Sequence, residues 1–147
     1  MSAPPRVVLD TNVLLSLFVF ADSRYAAIRA AIENGRWLAL TDARCLGEFR
    51  RVLAYPMFSL DAAAQEAAHA AYVALAQIVV VADMGERVPL PPCKDADDQK
   101  FLELARDGGA QLLVTSDKAL LKLARRQKLA HLFRILTPDR AMAELPP

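Results

Sequence analysis

Short apolar runs rich in β-branched residues alternate with longer helical patterns from one end of the chain to the other, which is what a parallel sheet covered by helices on both faces requires. The strand candidates are residues 6–9, 37–41, 78–82, 112–115 and 133–136. Between them, Ser23 is placed to cap a helix that runs to Asn34 and stops at Gly35, and Asp42 to begin one that ends near Pro56. The alanine-rich residues 60–77 favour helix by propensity. A further helix is expected from about Asp97 to Asp107, ending at Gly108 and Gly109, and two more follow the later strands. Residues 83–94 contain Pro89, Pro91 and Pro92, which deny that stretch regular hydrogen bonding and mark a loop. No repeat or linker interrupts the pattern. At 147 residues and 54% hydrophobic, the chain reads as one α/β domain over residues 1–147, with a three-layer arrangement around a mainly parallel five-stranded sheet.

Charge limits the possible partners. The 18 basic and 17 acidic residues leave a net +1, so no whole-molecule field draws the protein to a polyanion, and any such partner must meet a local patch. Two cysteines, Cys45 and Cys93, without a C-x-x-C spacing, suggest neither a disulfide framework nor structural zinc and fit a reducing cytoplasm. The apolar run at residues 13–21 is too short to cross a bilayer, and no basic segment followed by a long apolar stretch opens the chain. The expectation is a cytoplasmic protein without a membrane partner.

Four acids stand at places where they can meet. Asp10 follows Val7, Val8 and Leu9, and Asp117 follows closely on Leu112, Leu113 and Val114. If both strands are parallel, both carboxylates emerge at the carboxyl edge of the sheet, where open α/β sheets bind ligands. Asp98 precedes Phe101, Leu102 and Ala105 at offsets of three, four and seven, which puts it on the first turn of a helix, on the packed side. Glu48 borders the apolar face formed by Cys45, Leu46, Phe49, Val52 and Leu53. Taken singly, Asp10 and Asp117 also suit helix caps or turns, and Asp98 suits a cap, with Asp95 and Asp97 as rivals. Glu48 alone suits a solvated helix. Gathered at one edge, the four would repel one another unless a cation neutralised them, and oxygen donors without histidine or thiolate suit Mg2+ or Mn2+. The only histidines, His69 in the alanine-rich helix and His131 in a turn after a basic helix, receive no role.

Thr11, Asn12 and Ser116 neighbour the strand-end acids and carry the hydroxyl and amide groups that fix carboxylate rotamers, although Thr11 and Asn12 equally suit turn chemistry. Lys118, Lys122, Arg125 and Arg126 recur at helical spacing after Asp117, a stripe suited to phosphate contacts or simply to a solvated face. Arg44, Arg50 and Arg51 flank Glu48 and are candidates for the same patch.

The segments Val8-Leu9-Asp10-Thr11-Asn12, Cys93-Lys94-Asp95 through Phe101-Leu102-Glu103-Leu104-Ala105, and Val114-Thr115-Ser116-Asp117-Lys118 together resemble a PIN-domain nuclease. In detail they are similar to the VapC-like toxins of toxin–antitoxin systems. The resemblance runs from Arg6 to about Ala143. It implies a three-layer fold, one or two Mg2+ or Mn2+ ions, and endoribonuclease activity on single-stranded or structured RNA. By motif matching it puts the four acids on Asp10, Glu48, Asp98 and Asp117, with Asp95 as an auxiliary ligand. It also implies a small antitoxin as partner and a homodimer. Two positions depart from the pattern: Ala96 stands where relatives often have proline, and Ala119 where many have a further acid. Competing readings are a catalytically silent α/β module that binds a metal or partner, and a phosphatase with Asp10 as nucleophile. Asn12, where that chemistry wants an aspartate, counts against the second.

Overall fold

The structure, a computed structural model, describes residues 3–80, 87, 89–126 and 132–145. Its sheet has five strands, β1 (Arg6–Leu9), β2 (Leu38–Thr41), β3 (Gln77–Ile78), β4 (Leu112–Val114) and β5 (Arg134–Leu136), in the order β3-β2-β1-β4-β5, with every neighbouring pair parallel. The helices among the described residues are α1 (Thr11–Phe18), α2 (Ala26–Glu33), α3 (Ala43–Leu53), α4 (Ala62–Leu75), α5 (Gln99–Asp107), α6 (Lys118–Leu123) and α7 (Pro138–Ala143). The α/β expectation is met, with β1 at the centre of the sheet.

Strand periodicity divides the core in two. Val7, Leu9, Ala39, Leu112 and Val114 face one layer, where they pack with residues of α1, α2, α4 and α7 and with Phe49 and Leu53 of α3. Val8, Leu40, Leu113 and Ile135 face the other, against Phe101, Leu102, Leu104 and Ala105 of α5 and Leu120 and Leu123 of α6. Successive side chains on a strand point to opposite faces, so a strand buried on both sides is apolar throughout. That is why these strands read as unbroken apolar runs.

The expected elements need several corrections. Helix α1 overlaps the apolar run at residues 13–21 that the sequence marks only as too short for a membrane; Thr11, Val13, Leu14, Leu15 and Leu17 are all buried and only Asn12 is exposed, so its polar face is too narrow to betray a helix. Asp22, not Ser23, heads the segment before α2: its carboxylate accepts from the Arg24 N–H and pairs with the Arg24 guanidinium, starting a 3-10 turn at Ser23–Tyr25. The exit of α2 does fall at Gly35, whose φ of +74° suits glycine. Trp37 is buried in the turn, its N–H bonded to the Ala31 carbonyl, and β2 starts one residue later. The third strand is shorter and earlier than expected, and residues 81–86 of the expected strand and loop lie outside the described residues, as does His131.

Helix α5 is the element that carries Asp98, and it is fixed at both ends. Gln99 accepts from the Cys93 N–H at 2.6 Å, tying the preceding proline-rich stretch to the first turn. At the other end, a Cβ on Gly108 would come within 2.8 Å of Leu40 Cδ1 and 3.0 Å of the Leu104 carbonyl, so glycine allows the helix to end against β2. Between them Phe101 is 1% exposed. Replacing it with alanine removes a fully buried ring from the layer beneath α5, and the expected loss is about 3–5 kcal/mol of unfolding free energy, read as a lower urea midpoint at unchanged m-value.

Candidate functional site at the carboxyl edge of the sheet

The chain leaves β1 for β2 on one side and returns to β4 on the other, so the order reverses between β1 and β4. A crevice at the carboxyl ends of the strands is expected there. Leu9 pairs with Val114, and the Asp10 N–H continues the ladder by bonding the Val114 carbonyl at 3.1 Å. A cleft of about 380 Å³ opens at this place, and Asp10, Glu48, Asp95, Asp98 and Asp117 all line it, with Thr11 and Asn12. Asp97 is not among its lining residues.

Each acid is held differently. Asp10 is 4% exposed; one carboxylate oxygen accepts from the Val13 N–H at 2.9 Å, capping α1, and the other accepts from the Thr115 hydroxyl. Burial pushes its pKa up to about 6 from 3.8, against the two hydrogen bonds and with help from the charges of Asp117 and Glu48. Asp117 caps α6, accepting from the N–H groups of Ala119 at 2.7 Å and Leu120 at 3.3 Å. Capping and cleft lining therefore coincide in both strand-end acids. Glu48, half-buried on α3, accepts from the Thr11 hydroxyl through one oxygen and pairs with Lys100 Nζ at 2.8 Å through the other.

Asp98 is the exception. Asp95 caps the 3-10 turn Ala96–Asp98 by accepting from the Asp97 N–H, so Asp98 makes no capping bond. Its Oδ2 is buried with no hydrogen-bond partner. Desolvation, followed by the nearby charges of Asp117, Asp95 and Glu48, pushes its pKa up to about 7. A buried carboxylate oxygen with nothing to bond is costly, and a cation is one way to satisfy it. The donor set is all hard oxygen, and among the described lining residues there is no histidine or cysteine, which fits an ion such as Mg2+. Among the described residues, however, no three such side chains stand ready as a metal cage. Both oxygens of Asp10 and of Glu48 already take the hydroxyl, amide and ammonium groups just named, whereas both capping bonds of Asp117 fall on Oδ1.

Two participants escaped the sequence. Thr115 links the strand-end acids, accepting from the Asp117 N–H at 2.9 Å while donating to Asp10; it does what was expected of Ser116, which is exposed. Its position opposite Asp10 follows from the β1/β4 register and from nothing local. Lys100 lies 52 residues from the Glu48 it neutralises. Asn12 is exposed, and its carbonyl accepts from the Ser16 hydroxyl. His69 is buried against Phe49 with Nδ1 on the Arg50 guanidinium, away from the cleft lining. Lys118, Lys122 and Arg125 line a separate groove of about 600 Å³ along α6, and with Arg126 they are exposed. Arg44 and Arg50 instead pair with Asp42, Glu103 and Glu66.

No helix among the described residues is long and apolar enough to cross a membrane. Comparison with curated proteins gives no match. A family model described as PIN domain matches residues 6–119, from the first residue of β1 into the first turn of α6, and so spans all four acids. The chain therefore belongs to the PIN-domain family, whose members are nucleases, hydrolases that act on nucleic acids and generally use divalent metal ions.

Proposed function

We propose that this protein is a divalent-metal-dependent endoribonuclease, taking residues 1–147 as one PIN-like domain, and that Asp10, Glu48, Asp98 and Asp117 form its catalytic centre. The observation that carries this is the convergence of acids from four separate segments on one cleft, with a buried, unpartnered oxygen on Asp98. Asp10 and Asp98 are the principal metal ligands, Asp117 and Glu48 complete the set directly or through water, and Asp95 is auxiliary. One or two Mg2+ or Mn2+ ions bound there supply activated water and relief of charge on the phosphate. Thr11 orients Glu48, Thr115 orients Asp10, and Asn12 and Ser116 hold metal-bound water beside the acids. Lys118, Lys122, Arg125 and Arg126 run from the helix that Asp117 caps and contact phosphates of the RNA. The resemblance of the motif set supports a cytoplasmic toxin with a small antitoxin partner and a homodimeric state. A silent binding module is the alternative, and the same cleavage assay separates the two.

Cleavage of single-stranded RNA should require Mg2+ or Mn2+ and stop in EDTA. Asp98→Asn should lower it on the order of 100-fold or more, whereas Asp95→Asn should lower it far less. The Asp98→Asn protein without metal should be as stable as the wild type or more so, because a crowded charge has gone. Cleavage that persists in metal-free protein would defeat the assignment, and loss of activity in Asp95→Asn alone would move the third ligand.

The pH dependence of stability has a fixed sign. Asp10 and Asp98 hold protons more tightly in the folded protein than in the unfolded chain, with pKa values of about 6 and about 7 against 3.8. Their contribution is complete below about pH 3.8 and is lost as pH rises through about 6 to 7. The melting temperature of metal-free protein should therefore fall across roughly pH 4 to 7, with a loss of at most about 3 kcal/mol from Asp10 over that whole range. Added Mg2+ should flatten this fall, and Asp10→Asn should remove part of it.

For the basic stripe, Lys122→Ala combined with Arg125→Ala should weaken RNA binding without changing the melting temperature. The slope of log affinity against log salt should shrink by ~0.7 for each phosphate of a single strand that is no longer neutralised. An unchanged slope would return these residues to a solvated helix face.

A further inference from the structure

Apart from its acids, the cleft has an aromatic wall that catalysis by carboxylates does not use. Directly after α3, Pro56 opens a 3-10 turn at Pro56–Phe58 that closes on Ser59 in the left-handed region, with φ of 51°. This tight turn sets Tyr55 at its start and Met57 near its apex. Both line the acid cleft together with Phe58, yet Tyr55 is 43% exposed and Met57 78% exposed. The rings of Tyr55 and Phe58 are parallel to within 4°, with centroids 6.5 Å apart, and Phe20, 58% exposed, packs on Phe58 at 5.8 Å. Two of the five large hydrophobic side chains exposed among the described residues therefore line this one cleft, and a third, Phe20, packs against the Phe58 beside them. Scattered exposed hydrophobics need no explanation, whereas a gathered group beside a polar cleft marks a binding surface.

We infer that Tyr55, with Met57 and Phe58 beside it, forms a stacking subsite for one unpaired nucleobase of the RNA whose backbone is cut at the neighbouring acids. A nucleotide is the ligand that carries both chemistries, a phosphate for a metal-binding acidic edge and a flat π-face for an aromatic wall. Stacking tolerates every base and selects for strands whose bases are free to leave their pairing, so the subsite favours single-stranded over duplex RNA. Pro56 restricts the backbone of Tyr55 in advance, which lowers the ordering cost on binding. The subsite rests on the ribonuclease reading of the acids and adds to it what positions the strand.

The test uses a short single-stranded RNA of mixed sequence, the same RNA with one abasic position moved along it, and the same RNA with 2-aminopurine in place of one base. Binding is read by anisotropy with Ca2+, and cleavage with Mg2+, for the wild type, Tyr55→Ala, Tyr55→Phe and Met57→Ala. Tyr55→Ala should weaken binding about 5- to 100-fold, raise KM with little change in kcat, and abolish a quench of 2-aminopurine at one position. Tyr55→Phe should keep both binding and quench, and Met57→Ala should have a smaller effect in the same direction. An abasic gap at that position should bind wild type and Tyr55→Ala alike. Equal weakening on intact and abasic RNA, at unchanged melting temperature, overturns the subsite. So does unaltered RNA affinity with a shift from dimer to monomer in sedimentation, which would make the wall an interface between copies. If the wild type binds and cleaves RNA without any dependence on Tyr55, the subsite falls alone. If the wild type neither binds nor cleaves, the ribonuclease reading falls and takes the subsite with it.

Discussion

The parallel pairing of β1 with β4 is the contact on which the cleft depends. Leu9 opposite Val114, followed by the Asp10 N–H on the Val114 carbonyl, brings the ends of two strands more than a hundred residues apart in sequence to one edge. The pairing lies where the chain order reverses, so no crossover helix covers it, and the edge stays open. The register is strongly specified. A slip of β4 by one residue would turn Leu112 and Val114 away from their layer and send Leu113 the wrong way, exchanging its contributions to the two cores. The position of Asp10 beside Thr115 is therefore fixed by apolar packing and not by the polar groups themselves.

That packing forces carboxylates into one half-dry place, and the chain manages the repulsion locally. Asp10 and Asp117 take helix N–H groups, which suit negative charge, and Thr115 joins them by a shared hydroxyl. Glu48 has a cation of its own in Lys100, with side chains 14% and 13% exposed. Such a pair adds little net stability, but removing one partner strands the other charge, so Lys100 serves mainly to hold Glu48 in place. Lys100 also donates to the Asp97 carbonyl, which ties α3 to the turn that presents Asp98. Asp98 is left with an unsatisfied oxygen.

How far the sequence discloses this arrangement depends on the range of the interaction. Apolar runs and turn residues mark four of the five strands to within about one residue and the fold class with them, because burial on both faces is written locally in each strand. Asp42 and Gly35 likewise act where the residue type says they should. Helix α1 is not legible, since a helix buried nearly all round has no period to detect. Asp10 and Asp117 are legible as a pair because each follows its own strand, whereas Thr115 becomes their bridge only once β1 and β4 are in register. The Glu48–Lys100 pair has no local signature at all. The sequence also points to Arg44 and Arg50 as phosphate contacts, but acids supplied by α4, α5 and the start of α3 reach them first.

The cleft inverts the usual partition of side chains. Asp10 is almost wholly buried and Asp98 hides an unbonded oxygen, while Met57 and Tyr55 a short way along the same wall stand in solvent. Both inversions are unfavourable for the isolated protein: one removes charge from water and the other leaves apolar surface in it. Elsewhere among the described residues, β1, β2 and β4 send apolar side chains to both faces, and α3, α4 and α7 are capped by Asp42, Asp61 and Thr137. Two local rules broken side by side in one cleft are the mark of a surface shaped for a ligand. Here the two violations are of opposite kinds, so a purely ionic or a purely apolar ligand would relieve only one of them. A polyanion with flat, apolar side groups, held to the acids through a divalent cation, would relieve both together.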